Sequence, residues 1–266
     1  GEYFPDLMVK EAKKVIDKKS EDPFFIFFAM NTPHYPYQGY AKWIKYYRDK
    51  GVKHPRDLYA AFLTTQDEKI GELIQLLEDN KLRENTIIIF QSDNGHSTET
   101  RAYHGGGFTG PYRGAKQSLF EGGIRVPAAI SWPGKIPSNQ FRDQMSVNVD
   151  WMPTLIDLCG FDTDTSDMDG KSLLPIIENE NAPSNHEKGY CWEFGRRGDP
   201  TWVARKGKWK LYANPFDTSR REYTYSEKFV LFDLENDPGE SVNLYDQKPN
   251  VVYELKSLYK AWKNKQ

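Results

Sequence analysis

Leu7, Met8, Ala12, Val15 and Ile16 recur at helical spacing, which predicts an amphipathic helix over residues 6–19. The chain then turns wholly apolar in "PFFIFFAM" (23–30), the pattern of a buried strand, and a Pro- and Tyr-rich loop, "NTPHYPYQGY", follows. Leu58, Phe62, Leu63, Ile70, Leu73, Ile74 and Leu77 share one side of a long helix over about 56–79. "TIIIFQ" (86–91) is short, uninterrupted and β-branched, as strands are when both faces of their sheet are covered. "RVPAAISW" (125–132) reads as a third strand, and "DWMPTLIDLCG" as a helix closed by Gly160. Strands alternating with helices in this way predict an α/β sheet flanked by helices.

The texture changes after about residue 185. "KGYCWEF", "TWVARKGKWKLYA" and "KFVLFDL" are short segments separated by turn residues, with Gly207 placed to make a hairpin. A last helix is expected near 249–263. The reading is a main α/β domain over 1–185 and a small antiparallel sheet with a helix over 186–266.

Charge narrows the partners. The chain has 36 Lys+Arg against 38 Asp+Glu, a net charge of −2, which argues against a nucleic acid held by general electrostatics. The longest apolar run, Phe24 to Met30, is far too short to span a bilayer. Two cysteines, Cys159 and Cys191, are too few for a disulfide framework and read as small buried residues.

Ligands of open α/β sheets collect beyond the carboxyl ends of strands. Asp93 and Asn94 stand there, after the Ile87–Phe90 run, and offer a carboxylate and an amide carbonyl. Both are hard oxygen donors suited to Ca²⁺ or Mg²⁺. The same Asp–Asn–Gly would equally end a strand in an Asx-turn. His34, in "NTPHYPY" past the 23–30 segment, has the same placement and the right chemistry for a general acid or base; a structural histidine is its plainer use. Lys116 and Arg113 lie in a glycine-broken loop where cations would clamp an anion, or merely be solvated. His96 and His104 occupy the same stretch, their roles open.

Taken together, "NTPHYPY", "SDNG", "GPYRGAKQSLFEGGIRVPAAISWPGKI" and "LFDLENDPGESVNL" resemble the sulfatase family of the alkaline phosphatase-like superfamily, from about Pro23 to Asp246. The resemblance implies a sulfate ester hydrolase with a Ca²⁺ beneath the substrate sulfate. It makes Asp93 and Asn94 metal ligands, Lys116 a sulfate-binding cation, and His34 the proton donor to the leaving alcohol. His104 and Arg113 are further substrate-binding candidates. The partner it implies is a sulfated small molecule or glycan, and the compartment is periplasm, secreted space or lysosome.

The family's formylglycine nucleophile arises in a Cys/Ser-x-Pro-x-Arg motif, and neither cysteine lies in one. "SWPGK" (131–135) ends in Lys inside another motif and does not qualify. An Asp-Asp pair, the family's early metal ligands, is also missing. The sequence is therefore expected to be the C-terminal part of a sulfatase, inactive alone, with an exposed sheet edge prone to self-association. Two alternatives stay open: a phosphoester hydrolase of the same superfamily, and a non-catalytic module that holds sulfated glycan.

Overall fold

Helix α1 (Phe4–Ile16) buries Val9, Ala12 and Ile16, a stripe with helical period. Pro5 occupies its first turn, where a missing N–H costs nothing. The computed structural model of the chain describes residues 2–18, 22–195, 199–219 and 226–265, so Lys19, at the end of the predicted span, lies outside the described residues.

Residues 23–30 depart from the expected buried strand. Phe25 and Phe27 are 76% and 84% exposed, while Ile26, Phe28 and Met30 are partly covered. Strand-like alternation survives, yet no described strand pairs with the segment. The N–H groups of Ala29 and Met30 bond back to Phe27 and Phe28 carbonyls, at 3.2 and 3.0 Å. An apolar run sets which side chains alternate; a ladder needs a partner as well.

Helix α2 (Ala41–Asp49) follows the Pro- and Tyr-rich loop in a stretch with no predicted element, and α3 (Arg56–Asp79) matches its predicted span. Both α1 and α2 pack on α3. Lys69 of α3, 7% exposed at its side chain, reaches Asp6 at 2.8 Å and Glu72 at 2.6 Å. The Trp43 indole donates to Glu68 at 2.7 Å.

Strand β1 (Ile88–Gln91) pairs antiparallel with β2 (Ala128–Ser131), Ile88 opposite Ser131 and Gln91 opposite Ala128. The short helix α4 (Glu121–Ile124) precedes β2. Phe90 is 41% exposed and most of β2 is open, so the expectation of two covered faces is corrected for the described residues. The pairing runs on past the strands through Ser92 N–H to Pro127 O (3.1 Å) and Gly95 N–H to Gly123 O (2.8 Å).

Helix α5 (Trp151–Cys159) ends on Gly160 in the left-handed region (φ +69°), as its position predicts, and α6 (Leu174–Glu178) packs on it. Below α5 the buried Asp150 accepts from Val147 and Lys171 N–H, each at 2.8 Å, and meets His186 Nε2 at 2.9–3.0 Å.

Strands β3 (Tyr190–Phe194), β4 (Thr201–Lys206), β5 (Trp209–Ala213) and β6 (Phe229–Asp233) form an antiparallel meander in chain order. Gly207 (φ +54°) begins the two-residue turn that sets Lys206 opposite Trp209. Helix α7 (Pro249–Lys263) packs on β3, β4 and β5, closing a core of Cys191, Ala204, Leu211, Leu231, Val252 and Leu255. Burial pushes the Cys191 thiol up to about 12. Cys159, expected inside, is exposed at the end of α5.

A charged knot lies under the meander. Lys210 Nζ, 0% exposed, sits 2.7 Å from Glu121 Oε1 and 3.1 Å from Glu240 Oε1. Glu240 also accepts from the Tyr212 hydroxyl at 2.5 Å and from Glu121 N–H at 2.6 Å. Chain contacts separate two compact units, one of residues 1–110, 115–117 and 122–135, the other of 111–114, 118–121 and 136–266. The boundary expected at 185/186 falls within the second.

Candidate functional site

Beyond β1 the chain leaves the ladder as Ser92–Asp93–Asn94–Gly95. Asp93 is exposed and Asn94 partly covered. Asp93 Oδ1 accepts the Asn94 N–H at 2.9 Å, and the Ser92 hydroxyl donates to the Asn94 carbonyl at 3.1 Å. A local turn therefore uses one carboxylate oxygen.

Gly95 is dictated by close backbone approach, since a Cβ there would lie 2.0 Å from the Gly122 carbonyl oxygen. The next carbonyl, of His96, accepts the Lys116 N–H at 2.9 Å. Asp93–Asn94 and Lys116, distant in sequence, thus stand on adjoining stretches of the first unit.

His34 lies between two cis bonds, Thr32–Pro33 and Tyr35–Pro36, with its ring exposed and Nδ1 2.8 Å from the Tyr35 carbonyl. The Tyr35 hydroxyl donates to Glu99 Oε2 at 2.6 Å and so ties the His34 loop to the stretch after Asn94. That bond holds the Glu99 carboxyl below its ordinary value; partial burial opposes it, and Ser97 and Arg101 reinforce it.

His104 is exposed at the bend of this loop, in the left-handed region (φ +61°). The His96 ring packs against Gly105 and Gly107, where added Cβ atoms would fall 3.1 and 2.3 Å from it or its Cβ. Its Nδ1 is buried with no hydrogen-bond partner among the described residues. Burial, with Arg56 adding, lowers the His96 pKa.

Arg113 belongs to the second unit. Its guanidinium donates to Asp217 Oδ2 at 2.6 Å and to the Glu240 carbonyl at 2.9 Å, and lies over the Phe120 ring at 4.7 Å.

Asp93 and Asn94 suit a calcium ion in kind, as hard oxygens. They fall short in number, because Ca²⁺ takes about six to eight ligands. No group of three or more His, Cys, Asp or Glu side chains among the described residues could hold a metal. Sequence reasoning missed Tyr35 and Glu99, whose bond spans 64 residues and leaves no local signal. It also missed the Gly122–Gly123 approach, for which the "GG" itself was the available cue.

Comparison with known proteins gives the family of the chain. The sulfatase family profile matches residues 1–161, and that of the C-terminal part of N-sulphoglucosamine sulphohydrolase matches 114–265. The chain is 29% identical to human arylsulfatase D over 88% of its own length and 42% of that protein. It is likewise 29% identical to an N-acetylgalactosamine-6-O-sulfatase of Bacteroides thetaiotaomicron, over 99% of this chain and 52% of that one. The solved structure of Ps i-CgsB with k-i-k-neocarrahexaose superposes with a TM-score of 0.84 at 25% identity, covering 98% of this chain and 55% of that one. The chain thus spans about half the length of the relatives it matches, and its α/β architecture is that of the alkaline phosphatase-like superfamily. With one family profile covering more than half of its residues, the chain belongs to the sulfatase family.

Proposed function

We propose that the protein carrying this chain hydrolyses sulfate esters, with His34, Lys116, Asp93 and Asn94 as this chain's share of the active site. The observation that supports it best is the 2.9 Å bond from Lys116 N–H to the His96 carbonyl, which ties the lysine's stretch to the carboxylate–amide pair. In this reading the Lys116 ammonium binds the sulfate and neutralises charge that builds on oxygen as the S–O bond breaks. His34 gives its proton to the departing alcohol oxygen, which an exposed ring on a proline-framed loop is able to reach. A calcium ion, held in part by Asp93 and Asn94, would supply further positive charge against the sulfate oxygens. His104 is a further substrate contact in this reading, while the Arg113 guanidinium is engaged by Asp217 and Glu240.

The attacking group does not come from these residues, because the chain has no Cys/Ser-x-Pro-x-Arg sequence from which formylglycine arises. The chain alone is therefore expected to be inert. Sulfated glycans are the substrate class most in keeping with a relative named N-acetylgalactosamine-6-O-sulfatase and a similar structure solved in complex with k-i-k-neocarrahexaose. Such a substrate suits a periplasmic, secreted or lysosomal setting. Apolar side chains as open as Phe25 and Phe27 also suit self-association or cover by further polypeptide.

A panel of aryl sulfate, sulfated glycan and phosphate esters tests this, assayed with the chain alone and with the chain joined to a formylglycine-bearing segment. Turnover of sulfate esters is expected only in the joined protein, abolished by Lys116→Ala and slowed by His34→Ala. Turnover of phosphate esters alone would overturn the reading.

A further inference from the structure

Tyr103 caps the short 3₁₀ turn Thr100–Ala102. It and His104 both take left-handed backbone angles, φ +53° and +61°, followed by Gly105 at +91°. Bulky L-residues rarely adopt that region, and where they do the surroundings impose it. The result of this bend is an aromatic ring pushed outward, with Tyr103 51% exposed. The ring is steadied from behind and not covered: His54 meets it edge-on at 4.8 Å and 74°, and Tyr37 lies 6.5 Å away.

A series of side chains on the neighbouring loop starts at the candidate proton donor. The His34 ring lies 4.4 Å from that of Tyr35. The Arg101 guanidinium lies over the other ring at 5.2 Å, with its side chain 74% exposed. Tyr103 follows two residues later. An imidazole, a phenol and a guanidinium thus adjoin one another, and the second phenol meets the same 34–37 loop through Tyr37, 6.5 Å away. A phenol face takes the C–H face of a pyranose, and a guanidinium donates to hydroxyl, carboxylate or sulfate oxygens.

We propose that Tyr103 and Arg101 form a subsite for the sugar residues beyond the sulfated one, with Tyr103 as stacking platform and Arg101 as anion contact. The ligand class is an anionic oligosaccharide, longer than the unit that bears the ester. The inference rests on the reading of His34 as donor to the leaving oxygen, since that places the leaving sugar at the start of the series.

Calorimetric titration of the 266-residue chain tests it. The probes are sulfated hexasaccharides from carrageenan and from chondroitin sulfate, each beside the corresponding disaccharide. The hexasaccharide of at least one series is expected to bind more tightly than its disaccharide. Tyr103→Ala should weaken that hexasaccharide about tenfold and leave the disaccharide within about twofold, whereas Tyr103→Phe keeps both. Arg101→Gln, a surface change that leaves the fold intact, should weaken it in the same direction. Equal binding by Tyr103→Ala and the unaltered chain, no preference for either hexasaccharide, or no binding at millimolar concentration would each overturn the subsite. Lys116→Ala separates the two readings. If it removes sulfate-dependent binding while Tyr103→Ala is silent, the subsite fails and the function stands. If it is silent while Tyr103→Ala weakens binding, the subsite stands and the sulfate role of Lys116 fails.

Discussion

Lys210→Met removes an ammonium that lies between two buried carboxylates. Glu121 and Glu240 are 2% and 0% exposed at their side chains, with Lys210 at 2.7 and 3.1 Å. Among the partners that remain are Arg205, 3.4 Å from Glu121, and the Tyr212 hydroxyl on Glu240. Leaving a buried charge without its counter-ion costs about 3–5 kcal/mol. Proton uptake sets a ceiling on that loss for one carboxyl. Protonating a group of ordinary pKa 4.5 at pH 7 costs about 3.4 kcal/mol, and at pH 5 only about 0.7. The expected loss is therefore about 3–4 kcal/mol at pH 7 and smaller by about 2.7 kcal/mol at pH 5. The sign follows from Glu240, whose pKa is raised in the fold by burial, with Glu121 adding and Lys210 opposing. A raised carboxyl binds protons better folded than unfolded, so its contribution is present below 4.5 and lost as pH rises through the folded value. Removing Lys210 removes the opposing influence and steepens that dependence. Urea unfolding followed by tryptophan fluorescence reads the loss, since Trp192, Trp202 and Trp209 sit in the same sheet. A loss below about 1 kcal/mol at pH 7, or one equal at both pH values, would refute the reasoning. Glu240→Gln in the Lys210→Met background should recover part of the stability by removing one of the stranded charges.

Gly95→Ala places a methyl 2.0 Å from the Gly122 oxygen and should cost about 1–3 kcal/mol by urea unfolding. Arg113→Lys keeps the charge but not the fork that serves Asp217 and Glu240 together. A loss of about 1–3 kcal/mol is expected by thermal melting, and a loss near zero would show the clamp to be idle. The lowered pKa of His96, from burial and then Arg56, makes the unfolded chain the better proton binder. Its stabilising effect is whole above about 6.5 and is lost as pH falls through the folded value, so His96→Gln should flatten the stability profile on that acid side.

Helices were legible where a long period or a clear boundary residue declared them. The apolar side of α3 fixed that element to its observed ends, and α7 forms where a last helix is expected. Gly207 and Gly160 marked turns that only a left-handed residue closes comfortably. The α2 helix was not legible because none of its residues is fully buried, so aromatic and charged residues mixed without a clear apolar face. Residues 23–30 misled for the opposite reason: their composition suits a strand, but pairing depends on chain elsewhere. Asp93, Asn94, Lys116 and His34 stood out by position and chemistry. What joins their stretches did not, because the Lys116–His96 and Tyr35–Glu99 bonds are long-range. Arg113 read as a second cation for an anion, and only coordinates reveal the guanidinium spanning Asp217 and Glu240.

The loop that begins after Asn94 is fastened at both feet, by Gly95 N–H on the Gly123 carbonyl and by Lys116 N–H on the His96 carbonyl. Between those feet Gly105 and Gly107 are pressed against the His96 ring and Arg113 is held by Asp217 and Glu240, so exchange is tolerated best at exposed positions such as Arg101 and His104. In the proposed reading, change at those exposed positions would alter what the arch touches while the carboxylate–amide pair and the lysine keep their places.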